Sequence, residues 1–279
     1  MGEIVYGSVI ADKMRTDLRE KIIKNKDQVT LAVILVGNDP ASLSYVRGKE
    51  KACAQVGIQA KTYTCDQNIT ERELQALIKK LNNDSDIDGI LVQLPLPKHI
   101  NSKKVIQSIS VAKDVDGLTV ENVGRLYCKE PTFVPCTPLG IMAILNFLPI
   151  KLAGKHAVVV GRSELVGAPI SRLLLEANAT VTMCHSYTKD LSFYTKQADI
   201  LIVAVGKPQF INAQDVKKDA VVIDVGVNRQ ANGKLCGDVN LASVLDKVAY
   251  ITPVPKGVGP MTITMLLWNT YEAHQRRMR

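Results

Sequence analysis

Lys155-His-Ala-Val-Val-Val-Gly161-Arg-Ser-Glu-Leu-Val-Gly167 is the stretch on which the reading of this chain turns. Its apolar, β-branched run has the length of a strand covered on both faces. The glycine turn that follows opens into a helix expected from Leu165 to Ala177, and Ala179-Thr-Val-Thr-Met-Cys184 reads as the next strand. Strand, glycine turn, helix and strand make a mononucleotide-binding unit, whose helix N-terminus presents free N–H groups and a positive dipole end to a pyrophosphate. The turn departs from G-x-G-x-x-G, because Ser163 stands where the second glycine would be, so by itself it is a weak signal. Its surroundings strengthen it, since Asp199–Gly206 and Ala220–Gly226 read as two more buried strands.

The end of the second strand bears on the ligand. A free ribose 2′-hydroxyl ordinarily meets Asp or Glu there. This chain has Cys184-His185-Ser186, with Arg162 in the preceding turn. Arg and Ser suit a 2′-phosphate, to which a guanidinium gives charge-assisted hydrogen bonds. NADP is therefore preferred to NAD; the competing reading of Arg162 is a surface arginine.

The first half alternates in the same way. Residues 11–25 read as an amphipathic helix, Val29–Val36 as a buried strand, and Gln59–Thr64 as another. A helix starts near Thr70, where Thr-Glu-Arg-Glu forms a capping-box pattern. Gly89–Gln93 is the next strand, with Leu94-Pro-Leu-Pro97 as a rigid exit. This βαβαβ order implies a largely parallel sheet with ligands beyond the carboxyl ends of its strands. Thr137–Leu148 reads as a helix joining two domains, Thr252–Thr262 as a proline/glycine loop, and Ile263–Gln275 as a closing helix.

Candidate chemistry sits on three pieces of the first half. Between Asp39, a good N-cap, and Gly57, a C-terminal stop, lies a helix with Pro40 in its first turn. Tyr45 and Lys49 are four residues apart and share a face, placing an aromatic surface beside an ammonium; the plain reading is a solvated lysine. Leu43, Val46, Cys53 and Ala54 are expected to pack inward. Gly48 costs about 1 kcal/mol against alanine and suggests a close approach. Gln93, at a strand end, is placed to hydrogen-bond a ligand or another side chain, or to satisfy loose backbone. Asp114 and Asp116, in what reads as a loop, would point the same way if extended, for metal binding, acid/base chemistry or recognition of an amino-substituted heterocycle; the plainer reading is a turn-forming Asp116-Gly117, which accounts for Asp116 but not for the pair. No third or fourth ligand accompanies them, so no metal is expected.

Composition bounds these readings. The 279 residues suffice for one large domain or two ordinary ones. The formal charge of +8 suits a polyanionic small molecule as well as nucleic acid, and 5% aromatic content argues against a base-stacking protein. Cys53, Cys65, Cys128, Cys136, Cys184 and Cys236 show neither CxxC nor zinc spacing and read as reduced thiols of a cytoplasmic protein. No run is long enough to cross a bilayer, and the first residues resemble neither a signal peptide nor a myristoylation signal.

As a set, Tyr45-Val-Arg-Gly-Lys49, Asp88–Pro97, Lys113–Thr119, Pro135-Cys-Thr-Pro-Leu-Gly140, Gly161–Gly167, Cys184-His-Ser186 and Gly257–Thr262 resemble the bifunctional methylenetetrahydrofolate dehydrogenase/cyclohydrolase family, in its order and over nearly the whole chain. The resemblance implies an α/β fold of two domains. One is a folate-binding catalytic domain over 1–137, completed by helix 261–279; the other is a Rossmann-like NADP-binding domain over 138–260, with the active-site cleft between them. It further implies oxidation of 5,10-methylenetetrahydrofolate by NADP and hydrolysis of the methenyl product to 10-formyltetrahydrofolate, in a homodimer that binds neither nucleic acid nor membrane. Carried over by position, Tyr45 lies along the aminobenzoyl ring, Lys49 assists proton transfer in hydrolysis, Gln93 positions Lys49, and Asp116 accepts hydrogen bonds from the pterin. Leu94, Pro255 and Gly259 join the substrate contacts. Gly161, Arg162, Ser163, Val166, Gly167, His185, Ser186, Val205, Gly206 and Val227 are the cofactor contacts. Two positions depart from the family pattern: Val111, where proline is common, and Lys256, where glycine is. Lys256 is expected to add a cation near cofactor phosphate or the folate tail. The readings set against this one are another NADP-dependent oxidoreductase and a basic nucleic-acid binder.

Overall fold

In the computed structural model, which describes residues 2–230 and 233–279, the first half runs β1 (Glu3–Ile4), α1 (Gly7–Asn25), β2 (Thr30–Val36), α2 (Pro40–Val56), β3 (Gln59–Cys65), α3 (Glu71–Asn82), β4 (Gly89–Val92), α4 (Ser102–Gln107) and α5 (Val120–Cys128). The second half runs α6 (Cys136–Phe147), β5 (His156–Val160), α7 (Gly167–Glu176), β6 (Thr180–Cys184), α8 (Leu191–Thr195), β7 (Ile200–Val203), β8 (Val221–Asp224), β9 (Asn228–Arg229), β10 (Leu235–Cys236), α9 (Leu241–Val244), β11 (Tyr250–Ile251) and α10 (Val258–Met278). The chain divides into two compact units. Lys13–Cys136 with Ile263–Arg279 forms one, and residues up to Asp12 with Thr137–Thr262 form the other.

The Lys13–Cys136 unit holds a parallel sheet in the order β3-β2-β4. All seven residues of β2 are buried, as a central strand covered on both faces requires. Ile34, Val36, Ile90 and Val92 pack with Leu74, Ile78 and Leu81 of α3, which recur at the spacing of one helix face. That helix starts where the capping pattern puts it: Thr70 Oγ1 accepts from Glu73 N at 3.2 Å, and the Glu73 carboxylate accepts from Thr70 N at 2.9 Å. The far end of α10 is tied down by Asp88, just before β4. The fully buried Asp88 carboxylate accepts from Thr30 N at 2.8 Å and Arg277 Nε at 2.9 Å, with His274 Nδ1 at 3.1 Å.

The Thr137–Thr262 unit carries a six-stranded parallel sheet, β1-β11-β8-β7-β5-β6. β6 and β7 flank β5 on opposite sides, so the order reverses at β5, whose carboxyl end is the place such folds bind ligands. Val158, Val160, Leu201, Val203 and Val222 form its core with Val239, Val244 and Ile251.

Several boundaries differ from the sequence expectation. The first residues pair with the second-half sheet, Glu3 opposite Tyr250 and Ile4 opposite Ile251; a two-residue strand has no periodicity to read. α1 begins at Gly7, whose missing Cβ would lie 2.1 Å from Gly257 O. α7 begins at Gly167 instead of Leu165. α10 begins at Val258 instead of Ile263, because Pro260 falls in its first turn, where no intrahelical N–H bond is required.

Candidate active site

α2 presents Lys49 because both of its ends are fixed locally. The Asp39 carboxylate accepts from Ser42 N at 2.8 Å, and Gly57 closes the helix at φ +86°. Ser42, Val46, Ala52, Cys53 and Val56 are its buried residues; Ala54, expected inside, is exposed. Tyr45 is 51% exposed on the turn preceding Lys49. At Gly48 the nearest atom outside the helix's own backbone to an added Cβ is Ile263 Cδ1 at 3.9 Å, ordinary contact, so among the described residues none makes the expected close approach.

Lys49 Nζ donates to Gln93 Oε1 at 2.8 Å. Gln93 follows β4 directly, its N–H held by Ile34 O at 2.9 Å, and its Nε2 donates to Leu94 O at 2.6 Å. That second bond fixes the amide so that oxygen faces the lysine. Burial lowers the Lys49 pKa, opposed by the charge of Asp116 and, more weakly, by Cys136 and Cys53. A neutral glutamine leaves that depression in place, where a carboxylate would favour the ammonium.

The Asp114–Gly117 segment is a turn, with Gly117 N bonded to Asp114 O at 3.0 Å and Gly117 at φ +69°. The two carboxylates therefore do not act as an extended pair. Asp114 is buried and structural, accepting from Thr119 N at 2.7 Å and Asn122 Nδ2 at 2.8 Å. Asp116 alone joins Lys49. Burial pushes its carboxyl upward, and Lys49 and a hydrogen bond from the Cys136 thiol pull it back. Val115 seats the turn against β4, where a Cβ on Gly89 would lie 2.7 Å from Val115 Cγ1. Asn269 of α10 clamps it from the other end, donating to Val115 O at 2.8 Å and Val134 O at 3.0 Å.

Cys136 was not singled out from the sequence. Burial and Asp116 raise its pKa well above the usual thiol range, so it remains a protonated donor. Its place after Pro135 in the chain says nothing about what the sulfur touches.

In the Thr137–Thr262 unit, Gly161 takes φ +123° at the end of β5, and an added Cβ would lie 2.3 Å from Ala204 O. A Cβ on Gly167 would lie 2.1 Å from Gly161 O, so both glycines are needed to bring α7 onto the strand. Ser163 Oγ accepts from Val166 N at 3.2 Å and Gly167 N at 3.4 Å, ordering the turn without a second glycine. The Arg162 guanidinium lies 5.6 Å from the Tyr187 ring centroid. Tyr187 N donates to His185 Nδ1 at 3.2 Å, and His185 N to Thr188 Oγ1 at 2.8 Å. Arg162 is thus brought against the turn that carries His185 and exposed Ser186, a donor set whose chemistry fits a phosphorylated ribose. Val205 and Gly206 follow β7, and Val227 follows β8, half exposed. Pro255 is exposed in the turn before α10 and Gly259 in its first turn; Lys256 between them is exposed at φ +78°.

Comparison with known proteins places the chain in a family. The model of the tetrahydrofolate dehydrogenase/cyclohydrolase catalytic domain matches residues 5–116, and that of the family's NAD(P)-binding domain matches residues 135–278. The chain is 55% identical over 276 residues to the bifunctional protein FolD of Bacillus anthracis, covering 98% of this chain and 96% of that protein. It superposes on the FolD methylenetetrahydrofolate dehydrogenase/cyclohydrolase of Campylobacter jejuni with a TM-score of 0.97 at 47% identity, covering 99% and 100% of the two chains. The Trypanosoma brucei methylenetetrahydrofolate dehydrogenase-cyclohydrolase, solved with NADP and an inhibitor, superposes at 0.94 and 34% identity, covering 100% and 99%. With a glutamine-held lysine in one unit, an arginine-bearing nucleotide turn in the other and relatives matched end to end, this chain belongs to the tetrahydrofolate dehydrogenase/cyclohydrolase family.

Proposed function

We infer that this chain oxidises 5,10-methylenetetrahydrofolate with NADP and hydrolyses the methenyl product to 10-formyltetrahydrofolate. The observation that carries the hydrolytic half is Lys49, held by Gln93 Oε1 at 2.8 Å with its pKa lowered by burial. A lysine acts as a base near neutral pH only when its ammonium is disfavoured in this way. As water adds to the cationic one-carbon bridge, Lys49 takes one of its protons and Gln93 accepts a hydrogen bond from the resulting ammonium; the remaining hydroxyl proton passes to N5 as the carbon–N5 bond breaks, leaving the formyl group on N10. Asp116 receives two N–H donors of the pterin side by side, and Tyr45 lies along the aminobenzoyl ring. Leu94 adds a folate contact on the same unit, and the family resemblance assigns Pro255 and Gly259 to folate as well.

NADP, when bound, takes up the hydride from the methylene carbon. The chain's own part is recognition: the α7 N-terminus and the Gly161–Gly167 turn receive the pyrophosphate, and Arg162, His185 and Ser186 receive the 2′-phosphate. Val205, Gly206 and Val227 border the remainder. The domain assignment belongs to the same proposal, with folate on the Lys13–Cys136 unit and dinucleotide on the Thr137–Thr262 unit.

A homodimer in the cytoplasm is proposed as well. Its support is the edge strand β6, paired on one side only, with exposed Met183 on it and exposed Leu175 on α7. The six cysteines are free, and among the described residues no helix is long and apolar enough to cross a membrane. The deciding assay follows methenyl absorbance after mixing enzyme, methylenetetrahydrofolate and NADP or NAD. Appearance with NADP followed by enzyme-dependent decay is expected. Absence of the first phase removes the dehydrogenase assignment, and absence of the second removes the cyclohydrolase.

A further inference from the structure

Among the described residues of the Thr137–Thr262 unit, the most heavily hydrogen-bonded carboxylate belongs to Asp238, which lies outside the proposed folate and dinucleotide contacts. Asp238 is 0% exposed. Its Oδ2 accepts from Val205 N at 2.7 Å and Gly206 N at 2.9 Å, and its Oδ1 from Lys207 N at 2.8 Å and Asn228 Nδ2 at 2.8 Å. Three consecutive backbone N–H groups therefore wrap one carboxylate, with Gly206 at φ +65° to make the wrap. Successive N–H groups arranged this way form an anion-binding concavity; here the chain supplies its own anion.

A second buried acid builds the platform beneath. Asp224, at the end of β8, accepts from Asp238 N at 2.9 Å, Val239 N at 2.9 Å and Gly226 N at 3.1 Å. Two glycines make room for it. A Cβ on Gly237 would lie 1.7 Å from Asp224 Oδ2, and one on Gly226 would lie 2.1 Å from Asp238 Cγ. The ends of β7 and β8 are thus joined through stacked carboxylates, and the loop that leaves β7 has its shape set from inside.

We propose that Asp238 is a positioning residue for the dinucleotide, acting by fixing the Val205–Lys207 loop against which the cofactor binds. The proposal rests on the assignment of Val205 and Gly206 as cofactor contacts. It needs a carboxylate: an amide at 238 offers one oxygen and turns an NH2 toward groups that are themselves donors, and buried donors without acceptors rearrange.

The test compares wild type, Asp238→Asn, Gly206→Ala and the double variant. In Asp238→Asn the NADP dissociation constant, read by calorimetry, is expected to rise at least tenfold. Hydrogen exchange at the Val205, Gly206 and Lys207 amides is expected to accelerate in enzyme free of dinucleotide. Hydrolysis of preformed methenyltetrahydrofolate, assayed without dinucleotide, is expected to stay within twofold of wild type, which global unfolding would not allow. Gly206→Ala disturbs the left-handed residue directly and is expected to weaken NADP similarly, with the two effects failing to add in the double variant. Should Asp238→Asn be too unstable to purify, Asn228→Ala removes one donor to the same carboxylate and is expected to speed exchange at Lys207 and weaken NADP two- to threefold. Wild-type NADP affinity in Asp238→Asn beside weakened binding in Gly206→Ala overturns the positioning role and leaves the loop assignment standing. Unchanged affinity in both overturns the loop assignment itself.

Discussion

At the scale of single residues, the proposed hydrolytic role of Lys49 rests on its lowered proton affinity. Burial lowers the Lys49 pKa, and the partner at 2.8 Å is an amide carrying no charge to reverse the effect. Gln93→Glu puts a carboxylate there, which favours the ammonium and moves the pKa upward. The ascending, acid-side limb of the hydrolysis pH profile should then shift to higher pH, with at least a tenfold loss near pH 7 that is recovered as pH rises. A profile that keeps its position removes Lys49 as the base. Arg162 is tested by selectivity: Arg162→Ala should raise KM for NADP much more than for NAD, and equal effects remove the 2′-phosphate assignment. Lys256 occupies a left-handed backbone conformation, φ +78°, which costs a side chain with a Cβ about 1 kcal/mol. Lys256→Gly should therefore raise stability to denaturant by up to that amount. If the ammonium serves ligand binding, the same change weakens either NADP or polyglutamylated folate in titration; unchanged affinity for both leaves Lys256 only its backbone strain.

At the scale of elements, the end of α10 is fastened by one buried carboxylate. Asp88 serves the β2 backbone through Thr30 N and the helix through His274 and Arg277. Removing one partner from a buried ionic group leaves the others without their acceptor and typically costs about 3 kcal/mol or more. Asp88→Ala should lower the urea midpoint accordingly, with little change in the m-value, and a loss below about 1 kcal/mol would mean that these contacts are replaced by solvent. Because Asp88 precedes β4 and Gln93 follows it, the two lie at opposite ends of the strand. A purely local effect on stability should accordingly leave the pH profile of hydrolysis in place.

At the scale of the whole molecule, assembly is the open quantity. An edge strand paired on one side invites another strand or surface unless charge blocks it. Light scattering should give twice the chain mass, and Met183→Lys, which puts a charge on exposed β6, should shift it toward the monomer. A wild-type monomer ends the homodimer proposal. Much of the architecture was legible in residue order. Apolar runs within Val29–Val36 and Lys155–Gly161, β-branched and bounded by turn residues, read as buried strands, Asp39 and Gly57 marked the ends of α2, and the Thr70 box marked the start of α3. Strand–helix alternation then left a parallel α/β arrangement as the outcome, since burial period and end-capping are local properties. Tertiary structure alone decided which polar groups meet. It brought the Cys136 thiol to Asp116, paired Glu3 and Ile4 with a strand some 247 positions away, and set Asp238 beneath the β7 loop. Such contacts join residues far apart in the chain, and their energy comes from burial and hydrogen-bond geometry that exist only once the backbone has closed around them.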